Sequence, residues 1–301
     1  MKILVTGASG LLGTEICRQL KLDPNNRVWA VDNHSRSSTI PPCDKWTKID
    51  LANPVSLLAL PTDFDQIYHY AAINGTKNFY ERPNQVLSNN FISDINVFEF
   101  AATCSNLTRL VYASSSEVVS DDPTSPTAEH VDVVINNIHN ARWSYRLAKI
   151  TSENYLYNSQ LPWIACRYFN IYGENSKAGH FIADQMDKID RGIFEVTGSD
   201  ETRSFCYIED AVAATIHCAN HVLSSEVINI GNDAEISIPT AANIIAKAMG
   251  HNNADWNLLP GKPGSTATRR PNIAKLKTIM PEYQPRSFAE GMKKIIANRS
   301  K

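Results

Sequence analysis

The stretch Gly7-Ala8-Ser9-Gly10-Leu11-Leu12-Gly13 follows a short apolar run, Lys2 to Val5, and leads into a segment of helical periodicity. Its glycines answer three different demands. Gly7 permits a tight turn off a strand, Gly10 lets backbone amides approach a pyrophosphate, and Gly13 lets a helix pack close to the sheet with its amino-terminal amides facing phosphates. A glycine triplet alone is weak evidence, because strand and helix ends attract glycine anyway. Here a second apolar strand, Arg27 to Val31, ends in Asp32, about 20 residues past the last glycine, where a carboxylate can accept hydrogen bonds from an adenosine ribose. That charge would repel a 2′-phosphate, so NAD is expected over NADP. Asn33 and Arg36 share this edge, and Arg36 is the counter-argument, since an arginine there could hold a phosphate.

With 301 residues, the chain can bury a large core in one large domain or two intimate ones. Hydrophobic residues at 43% and charged residues at 20% exclude a disordered class, and a net charge of -2 gives no electrostatic reason to expect DNA, RNA or an acidic membrane surface. Cys17, Cys43, Cys104, Cys166, Cys206 and Cys218 are scattered without metal-ligand spacing, which argues for buried thiols in a reducing compartment and against zinc or disulfides. No apolar run approaches bilayer-spanning length, and the chain runs straight into its first strand, so a soluble cytoplasmic protein is expected.

Up to about residue 170, short apolar strands alternate with amphipathic helices, as a doubly wound parallel α/β sheet requires. Expected strands are Ile3–Val5, Val28–Val31, Thr47–Ile49, Gln66–Tyr70, Leu110–Ala113 and Trp163–Tyr168; expected helices are Leu11–Leu20, Gln85–Cys104 and Tyr145–Gln160. The carboxyl edge of these strands brings Leu11, Leu12, Leu51, Ala71 and Ala72 to the expected cofactor groove. Asp50, just past the third strand, either meets an adenine edge or caps a helix before Asn53 and Pro54. Beyond Gly173 the loops lengthen, and a smaller lobe is expected over the sheet edge. Phe205 to Asn220, with its apolar helix Ala211–Cys218, reads as a return to the first domain. We therefore expect a Rossmann domain at 1–172 and 205–230, interleaved with a lobe at 173–204 and 231–301. Pro41–Pro42 and Asp121–Thr127 read as ordinary polar loops.

Tyr145 and Lys149 stand one helical turn apart and project from the same face. An adjacent ammonium and a positively charged nicotinamide would lower the phenol's pKa, which makes Tyr145 a candidate general base toward a hydroxyl. On a helix surface this pair is common. Its companions make it meaningful: the strand from Arg109 ends in Ser114, Ser115, Ser116 and Glu117, which puts hydroxyls and a carboxylate where the reactive end of the cofactor should lie. The competing reading is a serine-rich turn that satisfies loop amides.

Together GASGLLG, Asp32, SSSE (Ser114–Glu117), YRLAK (Tyr145–Lys149) and RYFNIYGE (Arg167–Glu174) resemble the extended short-chain dehydrogenase/reductase family of NAD-dependent sugar-nucleotide epimerases and dehydratases. The resemblance covers essentially the whole chain. TRSFCYIEDA (Thr202–Ala211) is similar to that family's nucleotide-sugar segment, and RRPNIAKLK (Arg269–Lys277) with FAEGMKKII (Phe288–Ile296) to its closing pattern. The resemblance implies Ser115 as proton-sharing hydroxyl, Tyr145 as base, and Lys149 as its electrostatic partner and a ribose ligand. It implies Asn90 in support, Tyr168 near the nicotinamide, and Asn74, Ser116 and Asn170 toward the substrate. Arg203 and Arg269 would face substrate phosphates or form surface ion pairs.

Glu117 falls where dehydratases and UDP-glucuronate decarboxylases of this family carry a catalytic glutamate, and Arg142, three residues before Tyr145, resembles the decarboxylases' R-x-x-Y-x-x-x-K. Two departures suggest an unusual sugar. Val118, Val119 and Ser120 replace the usual V-Y-G, and INGTKNFY (Ile73–Tyr80) replaces a more apolar substrate loop. The implied chemistry is oxidation of a C4 hydroxyl to a 4-keto sugar, followed by epimerisation or elimination. Alternatives are decarboxylation of an NDP-uronic acid, simple C4 dehydrogenation, or a noncatalytic NAD-binding regulator on the same fold. A classical alcohol or steroid dehydrogenase is disfavoured by the extra C-terminal lobe and its arginines. The resemblance also implies a homodimer through the Gln85–Cys104 and Tyr145–Gln160 helices.

Overall fold

The computed structural model describes residues 1–119, 125–135, 138–174, 176, 179–261 and 265–299; Ser120 and most of the expected polar loop before Ser125 lie outside the described residues. Six strands with their helices build the first part. They are β1 (Lys2–Thr6), α1 (Leu11–Leu20), β2 (Arg27–Asp32), β3 (Lys45–Lys48), β4 (Gln66–His69), α2 (Thr76–Glu81), α3 (Pro83–Ala102), β5 (Arg109–Ser115), α4 (Trp143–Tyr157) and β6 (Trp163–Tyr168). Shorter pieces follow: β7 (Ile171–Tyr172), α5 (Phe181–Asp190), β8 (Glu195–Thr197), β9 (Thr202–Ser204) and β10 (Cys206–Tyr207). The chain closes with α6 (Ile208–His221), β11 (Glu226–Ile230), β12 (Glu235–Ser237), α7 (Ile238–Ala248), β13 (Asn257–Leu259), β14 (Thr268–Arg269), α8 (Ala274–Ile279) and α9 (Phe288–Arg299).

The seven-stranded sheet runs in the order β11-β6-β5-β4-β1-β2-β3, with every pairing parallel. Strand alternation sorts its side chains. Ile3, Val5, Val28 and Ala30 pack with Ile16, Cys17 and Leu20 of α1 and with α6, whereas Leu4, Val31, Ile67 and Leu110 pack with Val97, Phe98 and Ala101 of α3. The first of these clusters is continuous, running through α6 into Ile245 of α7 and Met292 and Ile295 of α9. All six cysteines are free thiols, and all but Cys43 are buried. No described helix is long and apolar enough to cross a membrane.

Three boundaries differ from expectation for physical reasons. The third strand forms at Lys45–Lys48 rather than Thr47–Ile49, because its register is set by β2, from Trp29 opposite Lys45 to Asp32 opposite Lys48. Helix α3 starts two residues early, at Pro83, a first-turn position where the missing amide proton costs nothing. Helix α4 starts at Trp143 and ends at Tyr157, with Asn158 as its cap. Beyond the first part, α6 packs on α1 and β11 adds the seventh strand beside β6. The chain leaves β1 toward β2 on one side and returns at β4 on the other. That reversal opens a crevice at the strands' carboxyl ends.

Candidate active site

A cavity of about 500 Å³ occupies this crevice. Gly7 turns the chain off β1 at φ +65°, and a Cβ there would collide with the Ala71 backbone, while one on Gly13 would collide with the Gly7 carbonyl. Only glycine permits this packing. No side chain caps α1, and Gly10, Leu11, Leu12 and Gly13 line the cavity, so the helix's amino end is available to an anion. Asp32 lines the same wall. Its carboxylate accepts from the Ser9 amide at 3.1 Å and the His34 amide at 2.7 Å, which fixes its direction and leaves lone pairs for ribose hydroxyls.

Asn33, Arg36, Asp50, Leu51, Ala71 and Ala72 also line the cavity. Asp50 is not a helix cap. It accepts from the Ala52 amide at 3.1 Å, and Asn53 caps the following 3-10 turn through the Val55 amide. Asn90 spends both ends of its amide on the Ile73 backbone, at 2.6 and 3.0 Å, and so pins the segment after β4. Tyr168 shares hydrogen bonds with Tyr70 at 2.8 Å and Thr215 at 3.0 Å, and Asn170, at φ +44°, donates to the Ser204 carbonyl at 2.8 Å. Both line the cavity, as do Asn74, Ser115 and Ser116.

Tyr145 reaches the cavity from the first turns of α4 with only 6% of its surface exposed, and Phe79 of α2 stacks on it at 5.0 Å between ring centres. Burial pushes the phenol above its ordinary range; Glu117 and Asp94 push the same way, while the Ser115 hydroxyl and the Arg36 charge pull it down. Lys149 is almost fully buried. Its Nζ lies 3.6 Å from Asp94 Oδ2, 4.4 Å from the Tyr112 ring centre and 5.9 Å from the Tyr145 ring centre, and the residue is absent from the cavity lining. The helical spacing holds, with the ammonium near the phenol and Asp94 as its ion-pair partner.

Glu117, in the turn after β5, is the most heavily charged point of the site. It accepts from Arg142 at 2.6 Å and Arg269 at 2.9 Å, with Arg146 at 3.7 Å. Burial would raise its pKa, yet the charges of Arg269, Arg142 and Arg146 override that and hold it well below the usual carboxylate range. Arg203 also lines the cavity, bonded to Glu201 at 2.5 Å; burial and the like charge of Arg269 push it down to about 10. Neither arginine is a surface ion pair.

Residues that the sequence reading passed over also belong here. Phe79 covers the phenol, and His69, Asp94, Tyr112 and Ser152 form a sealed polar cluster around the Lys149 ammonium. The available signal was Asp94 itself, one turn after Asn90 on the buried face of α3.

The sequence model of the NAD dependent epimerase/dehydratase family matches residues 3–231. The chain belongs to that family. Its cofactor is NAD, and the glycine turn, α1 and Asp32 are the groups that would hold it. Among curated relatives, a UDP-N-acetyl-alpha-D-glucosaminuronate decarboxylase of Bacillus cytotoxicus is 28% identical over 98% of this chain and 96% of the relative. UDP-glucuronic acid decarboxylase 1 of Danio rerio is 28% identical over 98% of this chain and 72% of its own length. Among solved structures, an epimerase from Methanothermobacter thermautotrophicus is 25% identical, covers 98% of this chain and 91% of its own, and superposes with a TM-score of 0.87. This family member thus shares the nicotinamide-dependent sugar-nucleotide scaffold along nearly its whole length.

Proposed function

We propose that the protein oxidises C4 of a nucleoside-diphosphate uronic acid to a 4-keto sugar and then releases the C6 carboxylate as carbon dioxide. The observation that carries this reading is the charge balance beside Tyr145. Among the described residues at that end, Arg142, Arg203 and Arg269 line the cavity while Glu117 bonds Arg142 and Arg269 and Glu201 bonds Arg203, so the guanidinium groups outnumber the carboxylates, which favours an acidic sugar and a diphosphate. The names of the curated relatives support the same reaction.

Tyr145 accepts the C4 hydroxyl proton, and Ser115 shares it. NAD held there would supply the acceptor for the C4 hydride and the donor that restores it, and its ring charge would favour the phenolate. The new ketone makes the substrate a β-keto acid. The electron pair of the C5–C6 bond moves into the C4 carbonyl as carbon dioxide leaves, and the resulting enolate takes a proton at C5 from solvent, while the proton held by Tyr145 returns to O4 as the hydride is restored. Glu117, held ionised, cannot donate that proton; it orients Arg142 and Arg269 toward the substrate. The test is incubation of the purified protein with UDP-, GDP- and dTDP-uronic acids, read by mass spectrometry and carbon dioxide release. A product of unchanged mass sinks decarboxylation and returns the site to epimerisation.

We further propose a homodimer, supported by the outward apolar side chains Leu87 and Ile92 of α3 and Tyr155 and Tyr157 of α4. Light scattering that gives a monomer mass at micromolar concentration ends that reading.

A further inference from the structure

We propose that Asp94 is a positioning residue for the reaction: its sealed carboxylate is the counter-ion that keeps the Lys149 ammonium charged and fixed beside Tyr145. The inference rests on the proposed function only for its kinetic arm. Asp94 is completely buried in α3, Lys149 is 2% exposed, and neither can draw on solvent. The carboxylate is saturated. Oδ1 faces His69 Nε2 at 2.8 Å, and Oδ2 accepts from Tyr112 at 2.6 Å and Ser152 at 2.7 Å, with Lys149 Nζ at 3.6 Å. Thr6 Oγ1 lies 2.6 Å from His69 Nδ1. When Thr6 donates to Nδ1, the His69 Nε2 proton points at Asp94, and every group is paired with the imidazole neutral. The cluster then holds one negative and one positive charge.

That balance matters because Lys149 has few other supports. Asp94 faces it from α3, Tyr112 from β5, and Tyr145 and Glu153 from its own helix, while His69 of β4 reaches it only through Asp94. Burial works against the ammonium, and Asp94 is the first group to oppose that, ahead of the more distant Glu153. Glu153 is itself committed to Arg167 at 2.6 Å. A buried ion pair contributes little to stability compared with apolar packing. Its value here is its address, next to the phenol that must give up a proton.

The test uses the full chain. In the first arm, unfolding midpoints are measured for wild type, Asp94→Asn, Lys149→Met and the double variant. The loss caused by Asp94→Asn should largely vanish in the Lys149→Met background; additive losses overturn the proposal. If Asp94→Asn alone yields no folded protein, recovery of folded protein in the double variant is the same result, and failure to recover overturns it. The second arm is the pH dependence of turnover of a nucleotide sugar by NAD-loaded enzyme. The alkaline fall of activity should move down by roughly 1–3 pH units in Asp94→Asn. Tyr112→Phe, which removes a donor but no charge, should lose stability with the alkaline fall unmoved. A fall that stays put in Asp94→Asn, or moves equally in Tyr112→Phe, reduces Asp94 to a structural role and overturns the proposal. A wild type that converts no nucleotide sugar sinks the proposed function instead, and the unfolding cycle then decides alone whether Asp94 is the counter-ion.

Discussion

Two buried carboxylates flank Tyr145, and they are built oppositely. Glu117 lies at the cavity wall with the guanidinium groups of Arg142, Arg146 and Arg269 around it, and Arg142 and Arg269 line the cavity beside it. Asp94 lies sealed beneath, its carboxylate surrounded by the Lys149 ammonium, His69, Tyr112 and Ser152. The first arrangement opens onto the cavity, and the second is closed off from it. On the proposed reading, the open cluster serves ligand recognition and the closed one serves the proton chemistry of Tyr145. Tyr145 sits between them, and its phenol answers to both.

The strongest way to break this comparison is to remove its shared member. Tyr145→Phe should lower turnover ~10³-fold while leaving NAD binding nearly intact by calorimetry, and retained turnover would remove Tyr145 from the scheme. Next, Arg269→Gln should cut kcat/KM for an acidic nucleotide sugar by roughly 10²-fold while changing the binding of a neutral one far less. Equal losses for both would mean that the open cluster reads phosphate rather than a sugar carboxylate. Glu117→Gln should loosen Arg142 and Arg269 and stop product formation, yet leave C4 oxidation visible as absorbance of reduced nicotinamide.

The same variant sharpens the contrast through stability. Because folding depresses the Glu117 pKa, its contribution is fully present above the ordinary glutamate value, about 4.3, and is lost as pH falls below it toward the folded value. The gap in unfolding midpoint between wild type and Glu117→Gln should therefore hold steady down to about pH 4 and close below it. A gap that persists at lower pH would show that the guanidinium charges do not hold the carboxylate. The smallest effect is expected for Phe79→Leu, which loses the stack on Tyr145 at a cost of about 1 kcal/mol and a few-fold in turnover. No change in either would make α2 a bystander.

Legibility in the sequence followed the range of the interactions. The parallel strands read as apolar runs because both their faces are covered, and the glycine turn was legible because its demands are local to seven residues. The one-turn spacing of Tyr145 and Lys149 was equally local. Asp94 meets His69, Tyr112, Ser152 and Lys149 across β4, β5 and α4, and no spacing along the chain records that meeting. The carboxylate that pairs with Lys149 was hidden for that reason: it stands 55 positions away in sequence. Helix α2 escaped notice because six residues carry too little periodicity, as did β7 and β14 with two residues each. The arginines were visible as residue types, but their convergence on Glu117 was not.

The apolar cluster that begins at Ile3 and Val5 does not stop at the edge of the sheet; it passes through α6 to Met292 and Ile295 of the last helix. Swinging walls joined by such a seam apart would expose hydrocarbon to water, which makes a wide hinge opening costly. Bending of the rim is the less costly route into the crevice.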